Sequence, residues 1–105
     1  MLATIEGNVT QKLEDSLVIN ISGVGFQVFV PEYLAKSAEL HKSQALFTHL
    51  IVREDNLTLY GFATQEEKDM FGLLLGTNGV GPRTALTVLS TLSLDIIKNS
   101  VIQEN

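Results

Sequence analysis

The sequence predicts an α+β protein: a five-stranded β-barrel over residues 1–62, followed by a small helical domain over residues 63–105. Three observations predict it. The first half holds five short stretches rich in Val, Ile, Leu, Phe and Tyr, separated by Gly, Pro, Asp and Asn. One short helix-sized segment falls between the third and the fourth stretch. After Phe62 the apolar residues change from strand-like to helical spacing.

The elements follow in order. Residues 2–10 alternate loosely, with Gly7 as a bend or bulge. Residues 16–22 set Leu17, Ile19 and Ile21 against Ser16, Asn20 and Ser22. Gly23-Val24-Gly25 reads as a hairpin turn, because glycine tolerates positive φ. It joins two strands and opens no helix, so its role is structural. Residues 26–30 form the third strand, which Pro31 ends. Residues 31–38 suit a short helix with Pro31 in its first turn. Residues 44–53 and 57–62 are strand-like, and Glu54-Asp55-Asn56 between them is a tight turn. Three strands, a short helix and a hairpin is the layout of an OB-fold.

In the second half Thr64 and Glu67 fit a capping box. Met70 with Leu74, and Phe71 with Leu75, then repeat at helical spacing, and Gly76 is a helix stop. Pro82 suits the first position of a second helix carrying Ala85, Leu86 and Leu89. Ser93 is expected to cap a third helix, with Asp95 in its first turn and Ile97 and Val101 pointing inward.

Composition removes several classes of function. The chain has no cysteine, so it forms no disulfide and no thiolate metal site. It carries no secretory signal pattern and no apolar run of the ~18 residues a membrane span needs. A cytoplasmic protein is expected. No phosphate-binding loop of the ATPase type is present. His41 and His49 have no ligand cluster near them, so neither a metal nor any other cofactor is expected. No nucleophile–base pair can be argued from spacing, and the chain reads as a non-enzyme.

The net charge of −5 argues against nucleic acid, since neutralising phosphates takes Lys and Arg. Neither half is basic: up to Phe62 there are four basic and seven acidic residues. Any DNA reading must rest on local geometry. Asn78-Gly79-Val80-Gly81-Pro82-Arg83 offers one. Two glycines let the backbone lie close to a ligand. The amides that open the next helix point outward with the positive end of its dipole. That suits a phosphate, and Arg83 can add a charge. This is the logic of a helix-hairpin-helix motif, which grips phosphates and reads no bases. On spacing alone, a plain connection between two helices fits these residues equally well.

Several strings together resemble the RuvA family: INISGVGFQVFVP, LFTHLIVREDNLTLYGF and EEKDMFGLLLGTNGVGPRTALTVLS. They cover most of the chain in the family's order. The resemblance implies an OB-fold domain, then a helical domain with two helix-hairpin-helix motifs. It implies a homotetramer that holds a four-way (Holliday) junction in recombination and repair, with the RuvB motor and the RuvC resolvase as partners. Glu54 and Asp55 match the family's acidic pin, which stands at the tetramer centre where strands separate. By itself the pair is an ordinary acidic turn. Arg53 before it is a candidate backbone contact, or a solvated strand end. The family pattern continues into a second helix-hairpin-helix and a third domain that contacts RuvB. Neither is found in these 105 residues, and where the family often has Lys, Arg83 stands here.

Two rival readings remain. A generic single-strand-binding OB domain would need exposed aromatic and basic residues on the barrel. An acidic protein-interaction module fits the charge but leaves the glycine turn unused.

Overall fold

We describe the fold from a computed structural model, which covers the backbone of residues 2–103 and the side chains of residues 2–92. The elements are β1 (Thr4–Lys12), β2 (Ser16–Ile21), β3 (Val24–Phe29), α1 (Glu32–Ser37), β4 (Ser43–Val52), β5 (Leu57–Phe62), α2 (Gln65–Leu75) and α3 (Pro82–Gln103). The strands close a barrel in the order β1-β2-β3-β5-β4. This is an OB-fold barrel followed by helices, as the sequence predicts.

Closure depends on β1, which serves two partners. Its first half pairs with β4, from Thr4↔Phe47 to Asn8↔Ser43. Its second half pairs with β2, from Asn8↔Asn20 to Lys12↔Leu17. The expected irregularity at Gly7 falls elsewhere: the register slips between Val9 and Gln11. Gly7 has a different task. A Cβ there would run into the Asn20 carbonyl of β2. The bare backbone at position 7 lets the chain pass where it changes partner.

The β2–β3 hairpin also corrects the sequence reading. The turn is Ser22-Gly23, one residue earlier than expected, with φ of 52° and 90°. Two consecutive positive φ values make the two-residue turn whose twist matches the flanking strands. Asn20 supports it by accepting a hydrogen bond from the Gly23 amide. Val24 and Gly25 are therefore strand residues, paired with Ile21 and Asn20. The barrel seam is a short parallel contact, Val28↔Leu59 and Phe29↔Tyr60.

The core forms two clusters. Ile5, Val9, Leu17, Ile19, Val28, Val30, Leu46 and Leu59 fill the barrel, with Leu34 and Ala35 of α1 and Ala38 just after it packed on them. Each fully buried aliphatic side chain contributes about 1.5–3 kcal/mol. Pro31 stands just before α1 as its N-cap rather than inside its first turn. The second cluster joins barrel to helices: Tyr60 and Phe62 of β5 meet Phe71 of α2 and Ala85, Leu86 and Leu89 of α3.

The Thr64 hydroxyl caps α2 by accepting from the Glu67 amide at 3.1 Å. The Glu67 carboxylate accepts from the Ala63 amide at 3.1 Å and from the Tyr33 hydroxyl at 2.6 Å. One side chain thus ties the start of α2 to α1. Burial, and then the Glu67 carboxylate, push the Tyr33 hydroxyl well above its ordinary pKa.

The expected third helix does not exist as a separate element. α3 runs unbroken from Pro82 to Gln103, and Ser93 lies inside it. No Gly or Pro follows Pro82 to stop it. The hydroxyls of Thr87, Ser90 and Thr91 turn back to carbonyls four residues earlier, so a hydroxyl residue here does not end the helix. The expected placements of Asp95, Ile97 and Val101 lie outside the described side chains. No helix among the described residues is long and apolar enough to cross a membrane.

Candidate nucleic-acid interface

The glycine turn lies between α2 and α3. Helix α2 ends at Leu75, and Gly76 caps it in a helical conformation. The Val80 amide then donates to the Thr77 carbonyl at 3.2 Å, closing a turn over residues 77–80. Gly79 takes φ of 81° within it, a conformation that disfavours any side chain. Val80 points down into the second core cluster and anchors the turn. The first bond of α3 runs from the Ala85 amide to the Gly81 carbonyl at 2.9 Å. Pro82 has no N–H, so the amides of Arg83 and Thr84 open the helix without an intrahelical acceptor.

Gly79 and Gly81 therefore differ. A Cβ at either would meet nothing within 4 Å. Only Gly79 has positive φ. Gly81 is not needed for the shape of the turn; what it leaves is clearance above the amides.

Arg83 is not aimed freely outward. Its guanidinium lies 3.2 Å from the Asp15 carboxylate in the β1–β2 loop. It also stands 5.6 Å above the Phe29 ring centroid. Both partners of this ion pair are well exposed, so the pair is worth no more than about 1 kcal/mol. Beside it runs an open groove of about 580 Å³ lined by Glu14, Asp15, Glu32, Arg83, Thr87 and Thr91 among others. Its three carboxylates make it a poor path for a phosphate backbone.

The acidic hairpin is the second element. The Arg53 amide donates to the Asn56 carbonyl at 2.9 Å and closes the loop between β4 and β5. Glu54 and Asp55 stand exposed at the tip, and neither carboxylate is in an ion pair among the described residues. Asn56 braces the loop, donating to the Asp55 carboxylate and accepting from Thr58. Below the tip Val52 and Leu57 face each other across the strands, 60% and 69% exposed. Together they form an exposed apolar collar beneath the tip. The sequence reading missed this collar, because both residues look like ordinary strand positions.

The two elements share a foundation. Ile51, two residues before Arg53, and Val80 pack on the same cluster around Tyr60 and Phe71. Burial raises the Tyr60 hydroxyl's pKa, while the nearby positive charges of Arg83 and Arg53 pull it back. Both candidate arginines thus act on the electrostatics of one tyrosine. His49 lies on the same cluster, edge-on to Phe71 at 5.4 Å. It is half-buried, and burial, then Lys68, lower its pKa. None of Phe26, Phe29, Tyr33, Phe47, Tyr60 and Phe62 is exposed. The stacking platform of a generic single-strand-binding barrel is therefore missing among them.

Residues 1–61 match the family described as RuvA N terminal domain. Across its length the chain is similar to proteins named Holliday junction branch migration complex subunit RuvA. With that of Halothermothrix orenii it shares 38% identity over 104 residues, 99% of this chain and 53% of the other. With that of Shewanella denitrificans it shares 42% over 94 residues, 89% of this chain and 46% of the other. With that of Acinetobacter baumannii it shares 40% over 103 residues, 96% and 51%. The chain spans about half the length of these curated relatives.

Proposed function

This chain belongs to the RuvA family, and from that premise we propose that it binds four-way DNA junctions, as the non-catalytic DNA-binding subunit of a RuvAB-type branch-migration complex. Its setting is the cytoplasm, in recombination and repair. Its partners are junction DNA, the RuvB motor and the RuvC resolvase. The observation that carries the reading is the pairing of an open amide turn with an unpaired acidic tip on one apolar foundation.

The parts divide the work. Gly79 and Gly81 give a phosphate access to the open amides of Arg83 and Thr84, while Val80 anchors the turn, Pro82 starts the helix and Asn78 stands at the edge. Arg83 and Arg53 add positive charge, and both are felt by Tyr60. None of these groups reads a base edge, so binding follows DNA shape rather than sequence. Glu54 and Asp55 act by repulsion. At ~6 Å and an effective dielectric of ~20, each carboxylate–phosphate pair costs about 2–3 kcal/mol before salt screening. A closed duplex cannot occupy the space around such a tip, but separated strands can pass on either side.

The protein assembles as a homotetramer, which gathers one acidic tip and one clamp from each subunit. The Val52–Leu57 collar supports this reading, since assembly around the tips would take two exposed apolar side chains per subunit out of water. The net charge of −5 opposes DNA, so a single clamp is weak and useful affinity needs several subunits on one junction.

Neutralising the tip tests the reading. The double variant Glu54→Gln with Asp55→Asn is expected to bind both a four-way junction and a matched linear duplex more tightly. The duplex should gain more, so the preference for junctions shrinks. Affinities for both DNAs, taken at two salt concentrations, check this. If both affinities and their ratio stay at wild-type values, Glu54 and Asp55 are only a turn.

A further inference from the structure

Asn78-Gly79 is the one Asn-Gly pair in the sequence, and it lies exposed in the turn described above. Asparagine followed by glycine is chemically labile, because the glycine amide can reach the carboxamide with no side chain in the way. What restrains the reaction is usually structure: a bonded carboxamide, an engaged amide, a rigid strand. Asn78 lacks these restraints. Among the described residues neither its carboxamide nor the Gly79 amide makes a hydrogen bond. The space around Gly79 is empty.

The other asparagines with described side chains are held. Asn8 and Asn20 lie in paired strands and precede Val9 and Ile21, both β-branched. The Asn20 carboxamide also accepts from Gly23. Asn56 uses both ends of its carboxamide and precedes Leu57.

We propose that Asn78 is a site of spontaneous deamidation, and that its conversion switches off the phosphate-binding turn. The Gly79 amide nitrogen attacks Cγ of Asn78. An N–Cγ bond forms, the Cγ–Nδ2 bond breaks, and ammonia leaves with the proton lost from the Gly79 amide. The product is a five-membered succinimide. Water then opens either of its carbonyls. One opening gives aspartate; the other gives isoaspartate, which carries the main chain through the former side chain. Nothing is oxidised or reduced, and water is the only co-reactant.

Either product puts a negative charge beside the amides of the turn, and the isoaspartate also adds a methylene to the backbone. The consequence for binding rests on the function proposed above. Screened repulsion at this range is expected to weaken DNA binding by about tenfold, or ~1.4 kcal/mol.

The test is to age the purified chain for days at mildly alkaline pH and warm temperature, and to follow two readouts. The first is the mass of the tryptic peptide 69–83, whose only asparagine is Asn78. It should gain the difference between –NH2 and –OH, and accept methyl groups from an isoaspartyl methyltransferase. Peptides carrying Asn8, Asn20 and Asn56 should change far more slowly. Equal rates at all four would overturn the proposal. The second readout is junction affinity of fresh and aged protein. Wild type should lose about tenfold on ageing, while Asn78→Gln should keep whatever affinity it starts with. Loss in both alike, or in neither, would overturn the switching role. Fresh wild type that fails to bind any DNA would remove the proposed function and the switch with it, while the mass readout still decides the chemistry.

Discussion

Replacing Phe71 with alanine is expected to remove about 3–5 kcal/mol of folding free energy, the usual cost of emptying a buried aromatic site. Phe71 has no exposed surface. Its ring centroid lies 5.0 Å from both Tyr60 and Phe62 and 5.4 Å from His49. Those partners come from β4 and β5, so the substitution cuts the joint between barrel and helices rather than a local contact. Small domains have only about 5–15 kcal/mol in total, and much of that would go. Urea unfolding followed by far-UV circular dichroism for the helices and by amide hydrogen exchange in β1 and β2 for the barrel reads the result. The helical signal should melt at lower denaturant than the barrel signal. A loss under about 1 kcal/mol, with both signals still coincident, would mean that the joint is held elsewhere.

The second large effect is on binding and not on folding. Gly81→Val is expected to lower affinity for junction and duplex DNA by more than tenfold at any salt. A β-branched side chain would stand where a phosphate must approach the amides of Arg83 and Thr84. Its cost to stability should stay near 1 kcal/mol or less, because Gly81 has ordinary φ and open space around it. Gly79→Val is the contrast. At φ of 81° it forces a strained backbone, about 1–3 kcal/mol, and should lose stability as well as binding. Thermal melts with matched binding titrations separate the two. Wild-type affinity in Gly81→Val would show that phosphates do not approach this turn.

Much of the fold was legible in the residues. The β5 strand falls at 57–62 as expected, because turn residues bound it on one side and a helix cap on the other. The Thr64–Glu67 cap and Pro82 at the start of α3 are local chemistry, so sequence suffices for them. The misplacements have two causes: strand pairing decided the first two, and an uninterrupted helix the third. Gly7 looked like a bulge, yet its role is set by a β2 carbonyl. Gly25 looked like part of a turn, yet its pairing with Asn20 makes it strand. Ser93 looked like a cap, but nothing breaks the helix before it.

The candidate interface divides the same way. The positions 53–55 and 78–83 were visible as strings. Asp15 beside Arg83, Phe29 beneath it and the shared influence of the two arginines on Tyr60 were not. Those relations join the β1–β2 loop, β3 and β5 to the start of α3, elements that are separate in sequence. Only the closed barrel brings them together.

The divided pairing of β1 also bears on the order in which the molecule forms. The β2–β3 hairpin needs only its two-residue turn and can form in about 1–10 μs. Joining Thr4 to Phe47, and Val28 to Leu59, must first close long loops of chain. Loop closure has to be met in entropy before those contacts repay it, so the barrel seam sets the folding rate. Substitutions in the Ser22-Gly23 turn should therefore slow folding, whereas those along the β1–β4 ladder should chiefly speed unfolding. Stopped-flow refolding of one variant of each kind distinguishes the two, and equal slowing by both would place the β1–β4 ladder in the nucleus.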